Sequence, residues 1–465
     1  MTNHLMIVGM ATTPRPDIAR RTARRTGRRP GRRPAWLVTL FCWLIVVFDG
    51  YDLIVYGTTI PALLGEPGWN LTPASAGLIG SLAFAGMLVG ALGAGYLADR
   101  LGRRRTIVWC TLWFSVFTAL CAVAQSPESF GALRFVAGLG LGGLVPSANA
   151  LTAEFVARKH RSAVSTVMMS GVPIGGSAAA LVGLWLLPEL GWRSMYAVAV
   201  LAVVVLLPLC VAFLPESPTW LRTRGRVDEA RAVEARYGLT HDASEHTTVA
   251  AGVRPGFGAI LTGRWLRPTV LFAAATVATL FAWYGLGTWL PKLMASDSRF
   301  DMGRPLHFLL ALNIGAVLGS VVTAWAGVRF GPLRSAVWAA LAAAAGLAFL
   351  LTYPSDLLPV YGALILAGVG THGTQCLIIA AVASHYPPTL RGTSLGFALG
   401  VGRIGAVLAP QVGGWLLAAN LGVGSNFLAF SIAAGVAAVL LLVTLLATRP
   451  AAQPVAAAAP AELVH

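Results

Sequence analysis

The chain has 465 residues, 56% of them apolar and only 11% charged, with a mean hydropathy of +0.72. That composition excludes a soluble enzyme of this size and describes a polytopic membrane protein. The formal charge of +16 would suit nucleic acid if it were spread over a surface, but the arginines are segregated. Nine precede Pro34, and most of the others cluster at Arg100 to Arg105, Arg158 to Arg161, Arg222 to Arg267, Arg329 to Arg334, Arg391 and Arg449. These are the N-terminus, every second loop and the C-terminus, so the positive-inside rule predicts an even number of spans with both termini cytoplasmic.

In chain order, residues 1–35 read as a basic, disordered cytoplasmic tail (RPDIARRTARRTGRRPGRRP) suited to anionic lipid, with a nucleic-acid role a distant second. No signal peptide is expected, because the first long apolar run begins after residue 34 and is too long for an h-region. A span needs about 20 apolar residues. Twelve candidates follow, at about 36–64, 74–98, 106–124, 129–155, 162–187, 192–214, 267–291, 306–327, 335–352, 357–384, 392–417 and 424–447. The long polar segment 215–266 divides them six plus six, with VDEARAVEARYG expected to form a short surface helix. The expected units are therefore the tail 1–35, an N-terminal bundle 36–214, a cytoplasmic linker 215–266, a C-terminal bundle 267–448 and a disordered tail 449–465 rich in Ala and Pro. The halves echo each other: Asp99-Arg100-Leu101-Gly102 is answered by Val328-Arg329-Phe330-Gly331 at an offset of 229, and Arg161 with Gly175 by Arg391 with Gly405 at 230. Cysteines 42, 110, 121, 210 and 376 all fall in spans without a metal or disulfide spacing. Small-residue stripes, such as Gly86-Gly90-Gly93 and Gly171-Gly175-Gly176, serve close helix packing.

The first span holds Asp49-Gly50-Tyr51-Asp52 near its centre. Acids inside a membrane are costly and mark function. Three residues apart, the two share a helix face, and their repulsion in a low dielectric leads at least one to hold a proton near neutrality. That is what a proton-coupling site needs.

After span two comes Gly95-Tyr-Leu-Ala-Asp99-Arg100-Leu-Gly102-Arg103-Arg104-Arg105, an acid and several guanidinium donors suited to a latch between helix ends. This segment resembles the loop signature of the major facilitator superfamily, and Arg134-Phe-Val-Ala-Gly138 at the start of span four resembles its fourth-helix motif. Arg134 is expected to face a cavity, a partner or the interface, with snorkelling to the outer surface as the bland alternative. Glu154 reads as a latch partner of Arg158, Arg161 or the Arg103 to Arg105 cluster rather than a proton carrier. In the second half Val328 replaces Asp99, which weakens any latch there.

The resemblance narrows at the D-G-x-D tetrapeptide, which is similar to the first-helix pattern of the aromatic acid:proton symporters. Gly287-Thr-Trp289-Leu-Pro291, Pro215-Glu216-Ser217-Pro218 and the long run Tyr386 to Pro410, with Arg391 and Arg403, add to it. It implies an all-α fold of twelve transmembrane helices in two pseudo-symmetric six-helix bundles. It also implies uptake of a small aromatic carboxylate (benzoate, hydroxybenzoate, protocatechuate or gentisate class) with a proton. Arg403 lies in an otherwise uncharged span and wants a carboxylate, whether Asp49, Asp52 or the substrate's own. Asn149, Trp283, Tyr284, His372 and Gln375 are candidate polar or ring-stacking groups of the cavity, alongside Asn313 and Trp289. No cofactor or metal is expected beyond a proton gradient; the partners are substrate, protons and the bilayer, and a monomer suffices. A drug:proton antiporter or a carrier of a non-aromatic organic acid is the alternative, although span five lacks the G-x-x-x-G-P-x-x-G-G antiporter pattern. An enzyme or primary pump is disfavoured, because only Lys159 and Lys292 occur and neither belongs to a phosphate-binding loop.

Overall fold

The computed structural model describes residues 34–157, 160–239, 256–296 and 305–447, so both tails and the middle of the linker lie outside the described residues. Among the described residues, twelve principal helices form two sets of six. The first set begins with α1 (Trp36–Leu64), α2 (Pro73–Leu101), α3 (Arg103–Cys121) and α4 (Pro127–Glu154). A continuous helical stretch, Arg161–Ala197, is broken at Gly191 (φ 69°, ψ −179°) into α5 (161–190) and the start of α6 (192–213). The second set is α7 (Leu266–Ser296), α8 (Pro305–Phe330), α9 (Pro332–Leu350), α10 (Leu357–His385), α11 (Pro388–Ala418) and α12 (Val423–Ala447).

Ten of these stretches are long and apolar enough to cross a bilayer on their own composition. The exceptions have physical reasons. α3 opens on Arg103-Arg104-Arg105, which dilutes its hydropathy. α6 passes through a π turn at Ala202–Leu206, just ahead of Pro208, whose missing N–H leaves the Val204 carbonyl without its helical donor.

Local chemistry fixes the ends. Thr72 with Ser75 and Ser126 with Ser129 form capping boxes, each followed by a proline at the first helical position of α2 or α4. Gly102 (φ 95°) and Gly331 (φ 90°) turn the chain from α2 into α3 and from α8 into α9, so the repeat read at an offset of 229 is also a repeat of backbone geometry.

Within the halves α1 packs on α5, α2 on α4, α7 on α11 and α8 on α10; between them α2 meets α11, α5 meets α8 and α1 meets α7. The contacts between halves concentrate at the end opposite the arginine-rich loops. There a Cβ on Gly57 would lie 2.1 Å from the Gly287 carbonyl oxygen, and one on Gly77 2.6 Å from that of Pro410. Trp289 Nε1 donates to the Pro410 oxygen (2.8 Å) and Gln411 Nε2 to that of Ala74 (3.3 Å). At the arginine-rich end the helices diverge: nothing stands within 4 Å of a Cβ placed on Gly93 or Gly95 of α2, or on Gly392, Gly396 or Gly400 of α11. A cavity of ≈ 510 Å³ opens there between α4 and α5 on one side and α10 and α11 on the other.

The linker's first described part, through residue 239, belongs to the first half. Its short helix Pro218–Thr223 and the helix Val227–Tyr237 lie against that half, with Tyr237 donating to the Phe213 carbonyl (3.1 Å) and stacking edge-on against Phe155. Residues 256–265 lie on the second half, where Phe257 packs against Phe397 and the Ile260 carbonyl accepts from Thr269 Oγ1 (3.0 Å).

Candidate functional site

The two acids of α1 are both buried, each 1% exposed, yet they turn to different surroundings. Gly50 between them lets α1 lie backbone to backbone on α5: a Cβ there would fall 2.2 Å from the Val172 oxygen, and a Cβ on Gly175 of α5 2.0 Å from that of Val47. Tyr51 points back into its own half and donates to the Met195 carbonyl (2.9 Å).

Asp52 faces α3 and α4. Arg134 Nη1 donates to both its carboxylate oxygens (3.1 and 3.0 Å), Nη2 to its backbone carbonyl (3.2 Å), and Thr118 Oγ1 to Oδ1 (2.5 Å). The Tyr56 ring covers the guanidinium at 5.9 Å. Arg134, 2% exposed, therefore does not snorkel to the surface. Of the places expected for it, a cavity, a partner or the interface, Arg134 takes a partner: a guanidinium enclosed among apolar side chains pairs with the nearest carboxylate of its own half. Thr118 was missed, since one threonine in an apolar span gives no signal.

Asp49 faces the other half. Neither of its oxygens has a hydrogen-bond partner among the described residues. Its electrostatic neighbours are Asp52 and, across the gap, Arg403 of α11, which in turn interacts with Tyr284 of α7. Arg403 is partly buried and makes no ion pair among the described residues. Gly402 and Gly405 press its helix onto Thr276 and Val277 of α7. An acid and a base thus stand opposed between the halves without closing on each other.

Aromatic and polar groups surround this gap. Tyr284 stacks on Phe84 of α2 (4.5 Å), while its neighbour Trp283 lies against His372 of α10 (5.4 Å). His372 Nε2 and Gln375 Oε1 are buried without partners, as is Asn313 Oδ1, which lies against Gly176 of α5. Asn149 sits lower, on the wall of the open cavity with Arg161 and Arg391. Trp289 lies away from the gap, in the closed end.

The expected latch is differently composed. Arg103 pairs with Glu154, which also accepts from Ser217 Oγ (2.8 and 2.7 Å) and Thr219 N (3.2 Å). Arg104 N donates to Glu216 (3.0 Å), whose carboxylate fills the space beside Gly102, and Arg104 Nη2 to the Val211 carbonyl (2.5 Å). Asp99 departs from expectation. Its exposed carboxylate makes no ion pair among the described residues, and only its backbone carbonyl is used, by Trp220 Nε1 (2.9 Å) and Arg224 Nη2 (2.9 Å). The reason is geometric: with α2 and α11 apart at this end, the acids that hold the loop are Glu154 and Glu216. Arg100 lies over Tyr96 (4.4 Å), beside an unobstructed Gly95. Glu216 stood in the quoted Pro215-Glu216-Ser217-Pro218 segment, but its reach of more than a hundred residues is not visible in sequence.

Two six-helix halves with opposed buried charges between them and a cavity open at one end define a solute carrier, and comparison with known proteins agrees. The model of the Major Facilitator Superfamily matches residues 42–328 and 306–464. The xylose transporter XylE from E. coli, in an inward open conformation, superposes with a TM-score of 0.70 at 16% identity, covering 88% of this chain and 95% of that one. The chain belongs to the major facilitator superfamily and, within it, to the aromatic acid transporters. It is 55% identical to the gentisate transporter of Corynebacterium glutamicum (84% of this chain, 83% of the relative). It is 35% identical to the benzoate transport protein of Acinetobacter baylyi (86% and 87%) and 32% identical to the 4-hydroxybenzoate transporter PcaK of the same organism (83% and 85%). It is a multi-pass membrane transporter, not an enzyme.

Proposed function

We propose that this protein imports a small aromatic carboxylate of the benzoate, hydroxybenzoate, protocatechuate or gentisate class together with a proton, by alternating access. The observation that carries the reading is the pair Asp49 and Arg403: a buried carboxylate and a cation on opposite halves, neither in an ion pair among the described residues, within electrostatic reach of each other. A proton on Asp49 removes the charge that competes for Arg403, so the guanidinium is free to take the carboxylate of the substrate. Loss of that proton restores the competition and expels the anion. Binding of proton and substrate is thereby linked, and the proton gradient supplies the drive without a cofactor. Asp52, saturated by Arg134 and Thr118, serves as an anchor that fixes α1 in its half.

The arginine-rich end is read as cytoplasmic, with both termini on that side in the cell membrane. The open cavity then makes this the inward-facing state. In the outward-facing state α2 and α11 would close at that end and bring Asp99 toward Arg391, completing the latch. The relatives' substrates support an aromatic cargo, and an unpaired cation in the gap fits an anion better than the cationic cargo of a drug antiporter.

The test is uptake of labelled gentisate, benzoate, 4-hydroxybenzoate and protocatechuate into membrane vesicles with and without an imposed proton gradient. Accumulation that collapses with a protonophore is expected for at least one of them. Gradient-independent accumulation, or none with any of the four, overturns the reading.

A further inference from the structure

We infer that α10 carries a subsite for ring hydroxyls, in which His372 Nε2 and Gln375 Oε1 accept hydrogen bonds from phenolic O–H groups of the cargo and so favour hydroxylated over unsubstituted aromatic acids. This rests on the aromatic-acid reading above and narrows it.

Pro173 interrupts the hydrogen-bond ladder of α5. Proline has no N–H, so within α5 the carbonyl of Met169, four residues earlier, has lost its helical donor. The His372 ring lies against that carbonyl, across the boundary between the halves. A neutral imidazole carries one N–H and one lone pair. Nε2 is the nitrogen buried without a partner among the described residues, and with the ring proton on Nδ1, the side toward Met169, it is free to accept.

Gln375 lies one turn further along α10, 7% exposed against 3% for His372, and its Oε1 is also unpartnered. Two buried acceptors without donors among the described residues destabilise a site unless water or a ligand supplies the donors. A carboxylate cannot; a phenolic hydroxyl can. The subsite is placed to meet cargo. Trp283 covers the His372 ring, its neighbour Tyr284 interacts with both Asp49 and Arg403, and the open cavity ends at Met169 and Cys376, the residue after Gln375. An aromatic acid with its carboxylate at Arg403 and its ring along Trp283 and Tyr284 would turn a hydroxyl toward α10. A site built to accept from a hydroxyl rejects the analogue lacking it far more strongly than an apolar pocket rejects a change in size.

The experiment is equilibrium binding of gentisate, 3-hydroxybenzoate and benzoate to the purified full-length protein by titration calorimetry, for the wild type, His372→Phe and Gln375→Met. The wild type is expected to bind the hydroxylated acids about tenfold or more tighter than benzoate. His372→Phe, which keeps a ring against Trp283, is expected to bring that ratio within about threefold, and Gln375→Met to reduce it less. A wild-type ratio near one, or the full ratio retained in both variants, overturns the subsite while leaving aromatic acid transport standing. Failure of the wild type to bind any of the three acids overturns both. If His372→Phe binds nothing, the wild-type ratio and the Gln375→Met ratio decide.

Discussion

Asp52 and Asp49 stand one helical turn apart on α1, but the region around Asp52 is saturated and the region around Asp49 is not. Asp52 has Arg134 on both oxygens and Thr118 on one of them, all within the first half. Asp49 looks out of that half toward a cation that does not reach it. The contrast separates two uses of charge in a membrane. A closed set of ionic hydrogen bonds inside one rigid half holds that half together, whereas an open set between two halves changes whenever the halves move.

Substitutions can break the comparison, and their effects on stability fall in a definite order. Asp52→Asn or Arg134→Ala leaves a buried charge or donor uncompensated and is expected to cost about 3–5 kcal/mol, seen as loss of folded protein on size exclusion and in thermal melts. Replacing both with leucine should recover most of that loss. Gly50→Val forces a side chain into the Val172 carbonyl and is expected to cost about 1–3 kcal/mol or more, with the same readout. Glu154→Gln keeps its hydroxyl and amide partners but loses the pairing with partly exposed Arg103, for a cost of about 1 kcal/mol or less. Asp49→Asn removes no hydrogen bond among the described residues, so the melting temperature should hold or rise while uphill uptake disappears and downhill exchange persists. If Asp49→Asn unfolds the protein while Asp52→Asn leaves it folded and uncoupled, the assignment of roles is reversed.

The smallest effect concerns pH at the closed end. Partial burial works against ionisation of Glu66, but hydrogen bonds from Arg193 (2.6 Å) and Trp192 (2.8 Å) outweigh it and hold the carboxyl below its ordinary 4.5. A depressed acid contributes stability above its unfolded value and loses it as pH falls through the folded one. A slight drop in melting temperature is therefore expected only below about pH 4.5, and Glu66→Gln should remove that dependence.

The number of helices, their order and the basic end were legible because apolar length and arginine placement are local properties. The break at Gly191 and the turn ahead of Pro208 were not resolved, since both lie in apolar sequence that reads the same whether straight or bent. At the site, sequence pointed to Asp49, Asp52 and Arg403 because charges in apolar runs stand out. It could not assign Arg134 to Asp52 over a distance of 82 residues, nor see that Thr118 completes the set. Asp99 shows the remaining limit: a motif names charged residues but not whether they are paired in a given conformation.

One consequence follows from the open cavity at the arginine-rich end. Four of the five cysteines are buried, and Cys376 alone lies on its wall. The native chain therefore contains a chemical marker of its own sidedness. With the arginine-rich end cytoplasmic, as proposed, a thiol reagent too polar to cross lipid should alkylate Cys376 in inside-out vesicles and spare it in intact cells, and a cargo that draws the halves together at that end should slow the reaction.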